Sequence, residues 1–567
     1  MSRPRRWRLA SPPADAIERL RAESGVSPLL ARLLANRGLT EGARVEAFLG
    51  ARLADHLRSP MLFRDMPRAA ERVVRAVAQG ERIGIYGDYD VDGVSGSAIL
   101  LRFLRALGAD PLLYIPHRLR DGYGLNAAGI RQLAAAGARV MITVDCGAVS
   151  HAEIGLARDL GIDVIVCDHH QVSGTPLPAF AVINPIEPDA GFPFAGLCGA
   201  GVAFYLAMGV RMLLRGRGGP IPDLRRSLDL VALGTIADLV PVVEENRVLV
   251  KYGLRELADS SQPGIAALRR VSGVAQMSTG AVGFRLAPRL NAGGRLDDAS
   301  RSVALLTTDD AEVAERLALA LDEENRARQA IEREMLDEAI ARADAAGAAE
   351  RHSIVLASPA FHPGVVGIVA ARLVERYYRP TVLIAAEAGG VGRGSGRSIA
   401  GINLYEALAA CRDCLERFGG HRMAAGLSIR LERVDELAAR LDAAIAAVAQ
   451  PDDFVPLTNV DAELSLRGVD GDCFADLDRL EPFGMANPEP VFLARDVRVR
   501  DRRIVGETHL KLFLEQDGRM LPAIGFGMAD ETVAAGDHLD LLFSPMRSEW
   551  NGTTSTELRI RDFRPHR

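Results

Sequence analysis

Between residues 81 and 240 the chain repeats one pattern. Short β-branched runs alternate with amphipathic stretches of helical length: "RIGIYG", "DPLLYIP", "VMITVDCG", "DVIVCDHH", "FAVINP" and "LDLVALGTIAD". Strands that alternate with helices admit few folds, because right-handed crossovers lay successive strands side by side in one parallel sheet. The pattern predicts an α/β, doubly wound, mainly parallel sheet with helices on both faces. It also predicts where chemistry can sit, since open sheets of this kind bind ligands outside the C-terminal ends of their strands.

Those ends are rich in acid and imidazole. Residues 86–96 read "YGDYDVDGVSG", with Asp88, Asp90 and Asp92 alternating up to Gly93. The spacing invites a calcium-loop reading. An EF-hand needs a bidentate Glu at position 12 of its loop, and counting from Asp88 that position is Ile99. The run before the aspartates is strand-like rather than helical, so the calcium loop is excluded. Further strand ends present Asp145, then Asp168, His169 and His170, then Asp238. In a parallel sheet Asp88, Asp90, Asp92, Asp145, His169 and Asp238 can converge on one crevice. A lone Asp at a strand end is usually a helix cap. Several together, with imidazole, repel one another unless cations neutralise them, and carboxylate with imidazole suits Mn2+ or Mg2+. Two such ions clamp the attacking and leaving oxygens of phosphoryl transfer.

The length of 567 residues implies roughly three or four domains at ~150 residues each. Residues 1–80 read as an N-terminal helical extension and 81–300 as the sheet domain. Residues 301–347 read as a connecting helix, its charged stretch 309–346 being taken for a solvated spacer. Residues 348–450 form a second α/β unit. After residue 451 short alternating strands suggest a small OB-like β-barrel. The net charge of −6 shows no global positive field, although a net sum can hide a local basic groove. Cys411 and Cys414 form a C-x-x-C without a second pair at zinc spacing, so buried thiols are expected. No apolar segment follows the basic "MSRPRRWRLASPP", and no run of ~18 apolar residues suggests a span. A cytoplasmic chain with no membrane partner is expected, in which the sequon at Asn551 carries no sugar.

The motifs "DYDVDG", "VDCG", "DHH" and "GTIAD" resemble the four signature motifs of the DHH phosphoesterase superfamily. Further along, "IPHRLRDGYGLN", "APRLNAGGRLDD", "FHPGVVGIVAARL", "GRGSGRSI" and "FGGHRMAAGL" resemble the RecJ family of single-strand-specific 5′→3′ exonucleases within it. The resemblance spans about residues 81–567. It implies a DHH domain joined by the long helix to a DHHA1-like domain, and an OB-like barrel for nucleic acid. It implies a two-metal exonuclease that degrades single-stranded DNA to mononucleotides in recombination and repair. It also implies Mn2+ or Mg2+ as cofactors and, as partners, single-stranded DNA with a 5′ end, a single-strand-binding protein and a helicase. Asp90, Asp92, Asp145, His169 and Asp238 are the implied metal ligands, with Asp92 and Asp145 as bridging candidates. His170 is implied to touch the reacting phosphate or a water. Asp168 is grouped with it as catalytic, in an orienting role. Some relatives carry a ligand His where this chain has Tyr86, so Asp88 is assigned to the catalytic set as a compensating group.

A 5′ exonuclease must also grip a phosphate end, and arginine forks in glycine settings suit that task. "GRGSGRS" offers Arg393, Ser395, Arg397 and Ser398, and "APRLNAGGR" offers Arg289, Asn291 and Arg295. The resemblance points to Arg118, Arg289, Arg295, Ser395 and Arg397 as strand or end contacts, and to His421 as a substrate residue. In the barrel Phe483, Arg502, Arg503 and Lys511 are candidates for stacking and charge. Two other readings stand beside this one. A phosphodiesterase for short RNA or cyclic dinucleotides would not need the barrel. An inactive single-strand-binding factor would not need the full acidic and histidine set.

Overall fold

The strands Leu112–Tyr114, Arg82–Gly87, Ala138–Val144, Asp163–Cys167 and Ala181–Ile183 form one sheet in that spatial order, every neighbouring pair parallel. Side-chain alternation with period 2 splits the strands between two layers. Ile83, Ile85, Val140, Ile142, Val144 and Ile165 face one core, shared with the helices Met66–Gln79, Val91–Ala106 and Gly199–Gly216. Met141, Val164 and Val166 face the other, with the helices Ala127–Ala135 and His151–Asp159. In this computed structural model residues 5–118, 120–218, 221–296, 298–550 and 553–566 are described. The first four residues of the basic N-terminus, Leu119, Asp297, and Asn551 and Gly552 of the sequon lie outside them.

Two expectations change. "LVALGTIAD" is not a strand: Leu228–Ala237 is a helix buried along nearly its whole length, and Asp238 is its C-cap. A short, wholly apolar run has no period by which strand and buried helix can be told apart. Nor is the charged segment a bare spacer. The helix Ala311–Ala345 buries Ala314, Ala318 and Leu321 in the core of the first sheet, and Met335, Ala339 and Ala343 in that of a second. Its apolar stripe is mostly alanine, narrow enough to hide among the charges.

The second sheet runs Leu415–Gly420, Ala424–Arg430, Val391–Arg397, Thr381–Ala386, Ile354–Ser358. Only the last pair is parallel. Helix Val366–Tyr377 packs on one face, through Val366 and Val369 against Leu383 and Ala385. Cys411 and Cys414 are buried on the other side of the sheet, as expected of structural thiols.

The chain divides into two compact units, Leu53–Phe454 and a second made of Met1–Arg52 with Val455–Arg567. A boundary at residue 80 is therefore too late, because helix Met66–Gln79 buries Ala69, Val73 and Ala76 in the first sheet's core. The second unit contains a barrel. Phe492–Val505, His509–Gln516, Arg519–Gly525, Thr553–Pro565 and His538–Trp550 pair in that spatial order, and the last returns to the first. The pairing of Arg519–Gly525 with Thr553–Pro565 is parallel, a closed five-stranded arrangement of the OB type. The helices Ala14–Ser24, Pro28–Asn36 and Gly42–Gly50 belong to this unit. Leu20, Leu30, Leu34 and Phe48 join the barrel core, and strand Arg6–Leu9 pairs in parallel with Leu457–Val460. Of the barrel candidates, Phe483 packs on the core, Arg503 bonds to Asp501 and Lys511 to Glu557. Among the described residues no helix is long and apolar enough to cross a membrane.

Candidate metal centre and nucleic-acid interface

The strand order places the first strand of the sheet between the second and the third. The connections leave the first and third strands toward opposite faces, so a crevice opens between their C-terminal ends. Asp88, Asp90 and Asp92 follow the first strand and Asp145 follows the third. Asp90 caps helix Val91–Ala106, its Oδ1 accepting from Asp92 N at 2.9 Å and Gly93 N at 3.1 Å. Asp92 is held at the N-terminus of helix Gly199–Gly216: Oδ2 accepts from Gly199 N at 2.6 Å and Oδ1 from Ala200 N at 2.8 Å. Asp145 has φ 63°, a left-handed conformation that costs energy in most residues and gathers at functional sites.

His169 sits among the carboxylates. Its Nε2 lies 3.1 Å from Asp145 Oδ1, 3.6 Å from Asp238 Oδ2 and 3.7 Å from Asp92 Oδ2. Three sets of potential ligand atoms each lie within 4.8 Å of one another: Asp92, His169 and Asp238; Asp88, Asp90 and Asp145; Asp145, His169 and His170. Every residue expected to hold metal is thus in one cluster, and Asp88 stands among the potential ligands rather than behind them.

The acids are poorly stabilised by the protein alone. Burial first, then neighbouring carboxylates, hold Asp88 and Asp145 well above the usual carboxylate range. Asp238 is pushed up to about 8 by burial and then by Asp92. Burial also pushes His169 down, toward the neutral form that ligates metal. Asp88 Oδ1 is buried without a hydrogen-bond donor, a costly orphan. A carboxylate–imidazole donor set with an unmet acceptor fits hard or borderline divalent cations such as Mn2+ and Mg2+.

Asp168 behaves differently. Its Oδ1 accepts from His169 N at 2.7 Å, His170 N at 3.1 Å and His170 Nδ1 at 2.8 Å, and its Oδ2 from Ala148 N at 2.8 Å. Both oxygens are occupied, and these bonds fix the orientation of the two histidines. Burial lowers the His170 pKa, but the hydrogen bond and charge of Asp168, with the charges of Asp238 and Asp92, together outweigh it and raise it to about 9. Tyr123, not singled out from the sequence, donates its hydroxyl to Asp145 O at 3.1 Å and lies 3.1 Å from His170 Nδ1. An aromatic between glycines in "DGYGLN" was the available signal.

Gly234, on the helix that ends at Asp238, backs this cluster. A Cβ there would lie 2.5 Å from Asp92 Oδ1 and 2.6 Å from the Ala200 methyl. Gly234→Ala should displace Asp92 and weaken Mn2+ binding about tenfold or more, the scale set by losing a group that orients a ligand. Titration of the apo protein with Mn2+ checks this, and an unchanged affinity would refute the placement of Asp92.

A second cluster is cationic. Arg397 donates from Nη1 to Ser395 Oγ at 3.0 Å and Gly396 O at 2.8 Å. A Cβ on Gly367, in the first turn of helix Val366–Tyr377, would lie 2.9 Å from both Arg397 Nη2 and Ser395 Oγ. Arg295 donates to Gly364 O at 3.2 Å. Burial and then Arg118 lower its pKa to about 10, and Arg397 is shifted down by the same two causes. Arg118 stands 5.1 Å over the Tyr89 ring. Two arginines depressed by burial and by the charge of Arg118, beside a hydroxyl and a helix N-terminus, make a site for an anion.

The other expected strand contacts are not brought there. Arg289 is committed to Asp322 Oδ1 at 2.8 Å and Arg285 O at 2.6 Å. Asn291 Oδ1 accepts from Val91 N at 3.1 Å, which braces the loop of Asp90. Each thus has a partner within the fold. Arg393 pairs with Glu387 at 3.0 Å. His421 is exposed at the turn after Leu415–Gly420, its backbone N–H donating to Ala424 O.

Residues 82–235 match the DHH family, N-terminal domain, residues 352–447 the DHHA1 domain, and residues 460–562 the RecJ OB domain. The single-stranded-DNA-specific exonuclease RecJ of Bacillus subtilis is 38% identical over 565 residues, covering 98% of this chain and 70% of the relative. The chain belongs to the RecJ family. RecJ of Thermus thermophilus in complex with Mn2+ superposes with a TM-score of 0.83 at 34% identity, over 99% of this chain and 80% of that one. Its Mg2+ complex gives 0.78 at 32% identity, over 99% and 79%. The RecJ fold thus accounts for the parallel sheet, the second sheet and the closed barrel.

Proposed function

We propose that this chain is a divalent-metal-dependent exonuclease that hydrolyses single-stranded DNA from the 5′ end to mononucleotides, in recombination and repair. The observation that carries the reading is the acid and imidazole cluster lying in the same unit as an arginine pocket suited to a terminal phosphate. The names of the relatives, single-stranded-DNA-specific exonucleases, support the substrate, and the Mn2+ and Mg2+ complexes of a relative support the cofactors.

Asp92, His169 and Asp238 would hold one cation and Asp88, Asp90 and Asp145 the other. Bound there, the cations supply charge neutralisation of the phosphodiester and an activated water. The chain's own residues do the rest. Arg397, Ser395, Arg295 and Arg118 grip the terminal phosphate and so set which phosphodiester lies over the acids. Asp168 takes the Nδ1 proton side of His170, which leaves Nε2–H to donate to a phosphoryl oxygen. Tyr123 holds His170 to the backbone of Asp145. A single strand as substrate calls for a single-strand-binding protein and a helicase as partners and for the cytoplasm as the place of work.

A 5′-labelled single strand with and without Mn2+ is the test. Release of labelled mononucleotide only with the cation is expected, and release of longer fragments first would refute end-dependence. Binding should also weaken with salt, with a log–log slope of about −0.7 per phosphate contacted. A flat response would mean that the arginines meet no phosphate.

A further inference from the structure

Tyr89 stands in the chain between two aspartates of the metal centre, Asp88 and Asp90. Its backbone is clamped by helix Ala287–Leu296. A Cβ on Gly294 would lie 2.4 Å from Tyr89 O, an approach that only glycine admits. Two residues beyond Tyr89, Val91 N donates to Asn291 Oδ1 of the same helix at 3.1 Å. The residue after Gly294 is Arg295, which lies in the terminal-phosphate pocket. With the backbone fixed in this way, the ring of Tyr89 is the part left to act.

That ring is buried and has two neighbours of different chemistry. The Arg118 guanidinium lies over it, 5.1 Å from the centroid, where the negative face of the ring attracts a cation. The Tyr123 ring lies 6.5 Å away at 78°, the edge-to-face geometry that aromatic pairs favour. Tyr123 is half exposed, and it packs its ring against both Tyr89 and His170. Its hydroxyl lies 3.1 Å from His170 Nδ1 and donates to Asp145 O. The charge of Arg118 also reaches Arg295 and Arg397, which it shifts downward, and Asp88. One chain of contacts thus runs from the arginines of the phosphate pocket through Arg118, Tyr89 and Tyr123 to His170.

We propose that Tyr89 is a positioning residue that couples occupancy of the terminal-phosphate pocket to the placement of His170, so that the rate of cleavage, and not affinity alone, depends on a 5′ phosphate. A phosphate in the pocket holds Arg118. The guanidinium keeps the Tyr89 ring seated, and the ring holds Tyr123 at His170. A 5′ hydroxyl leaves Arg118 without its anion and the chain of contacts slack. Tyr89 itself touches no substrate atom. The inference rests on the exonuclease reading above and deepens it.

The test measures single-turnover rates at saturating strand, and affinity separately, on strands that differ only in a 5′ phosphate or 5′ hydroxyl. Tyr89→Leu removes the ring but keeps an apolar side chain. It should slow the phosphorylated strand about tenfold, the scale of a desolvated cation–π contact, with affinity within about twofold of the parent's. The hydroxyl strand should slow much less. Tyr89→Phe keeps both ring contacts and should restore the preference for the phosphorylated end. A Phe variant as slow as the Leu variant overturns the proposal. Because Tyr89 relays what Arg118 senses, adding Tyr89→Leu to Arg118→Ala should slow the phosphorylated strand no further, and losses that multiply overturn the proposal. Mn2+ titration of apo Tyr89→Leu should match the parent. A weakened metal affinity would place the effect at Asp88 and Asp90 and overturn the coupling, as would equal slowing of both ends or a parent that cleaves both ends equally fast at saturation. A parent that cleaves neither strand defeats the exonuclease reading and the coupling with it. A cleaving parent whose end preference survives Tyr89→Leu defeats the coupling alone.

Discussion

Asp145→Asn should cut hydrolysis of single-stranded DNA at least about a thousandfold, while the strand still binds. Asp145 belongs to two of the three ligand sets and touches His169. Removing its charge removes a shared anchor, and Lewis-acid stabilisation of the phosphoryl group is worth several kcal/mol. A thousandfold is about 4 kcal/mol at the barrier. Asparagine is the substitution of choice because the position has φ 63°, which Asn tolerates better than most residues. Single-turnover rates and strand affinity, measured on the same preparation, separate the two effects. A variant that retains a tenth of the parental rate would remove Asp145 from the metal centre. A variant that loses affinity as strongly as rate would mean a collapsed site.

Arg397→Ala should slow degradation of 5′-phosphorylated strands about ten- to a hundredfold, the equivalent of roughly 1.5–3 kcal/mol for a hydrogen bond to a charged group. Strands ending in a 5′ hydroxyl should suffer much less, because no terminal dianion is there to grip. Arg397 is held ready for the anion by Ser395 and Gly396. The ratio of rates on the two ends, for parent and variant, is the measurement. An equal fall on both ends would make Arg397 a general strand or packing residue. The end-reading role would then pass to Arg295, which shares the pocket, and not to Arg289, which Asp322 holds.

The sheet and its chemistry were legible because period-2 alternation and strand-end acids are local signals. Asp88, Asp90, Asp92, Asp145 and His169 could be placed from the strands alone. Asp238 reached the cluster by another route, on a buried helix whose uniform apolarity erased its period. Residue-by-residue roles were harder. The arginines of "APRLNAGGR" look alike in sequence, yet Arg295 lies in the cationic pocket and Arg289 is spent on an aspartate of the long helix. Only the fold decides which guanidinium already has a partner. The alanine stripe of Ala311–Ala345 and the joining of residues 1–52 to the barrel were equally invisible, since both depend on contacts far apart in the chain.

That last pairing sets a schedule for biosynthesis. The helices carrying Leu20, Leu30 and Leu34 leave the ribosome before the intervening unit, but the strands that cover them begin only after Val455. At about 5–20 residues per second, their greasy faces wait on the order of 20–90 s. The intervening unit, Leu53–Phe454, has all of its own residues in hand before the barrel does. A nascent chain paused in that interval holds a finished metal centre and an unfinished barrel, and its first helices are the segment that chaperones would meet.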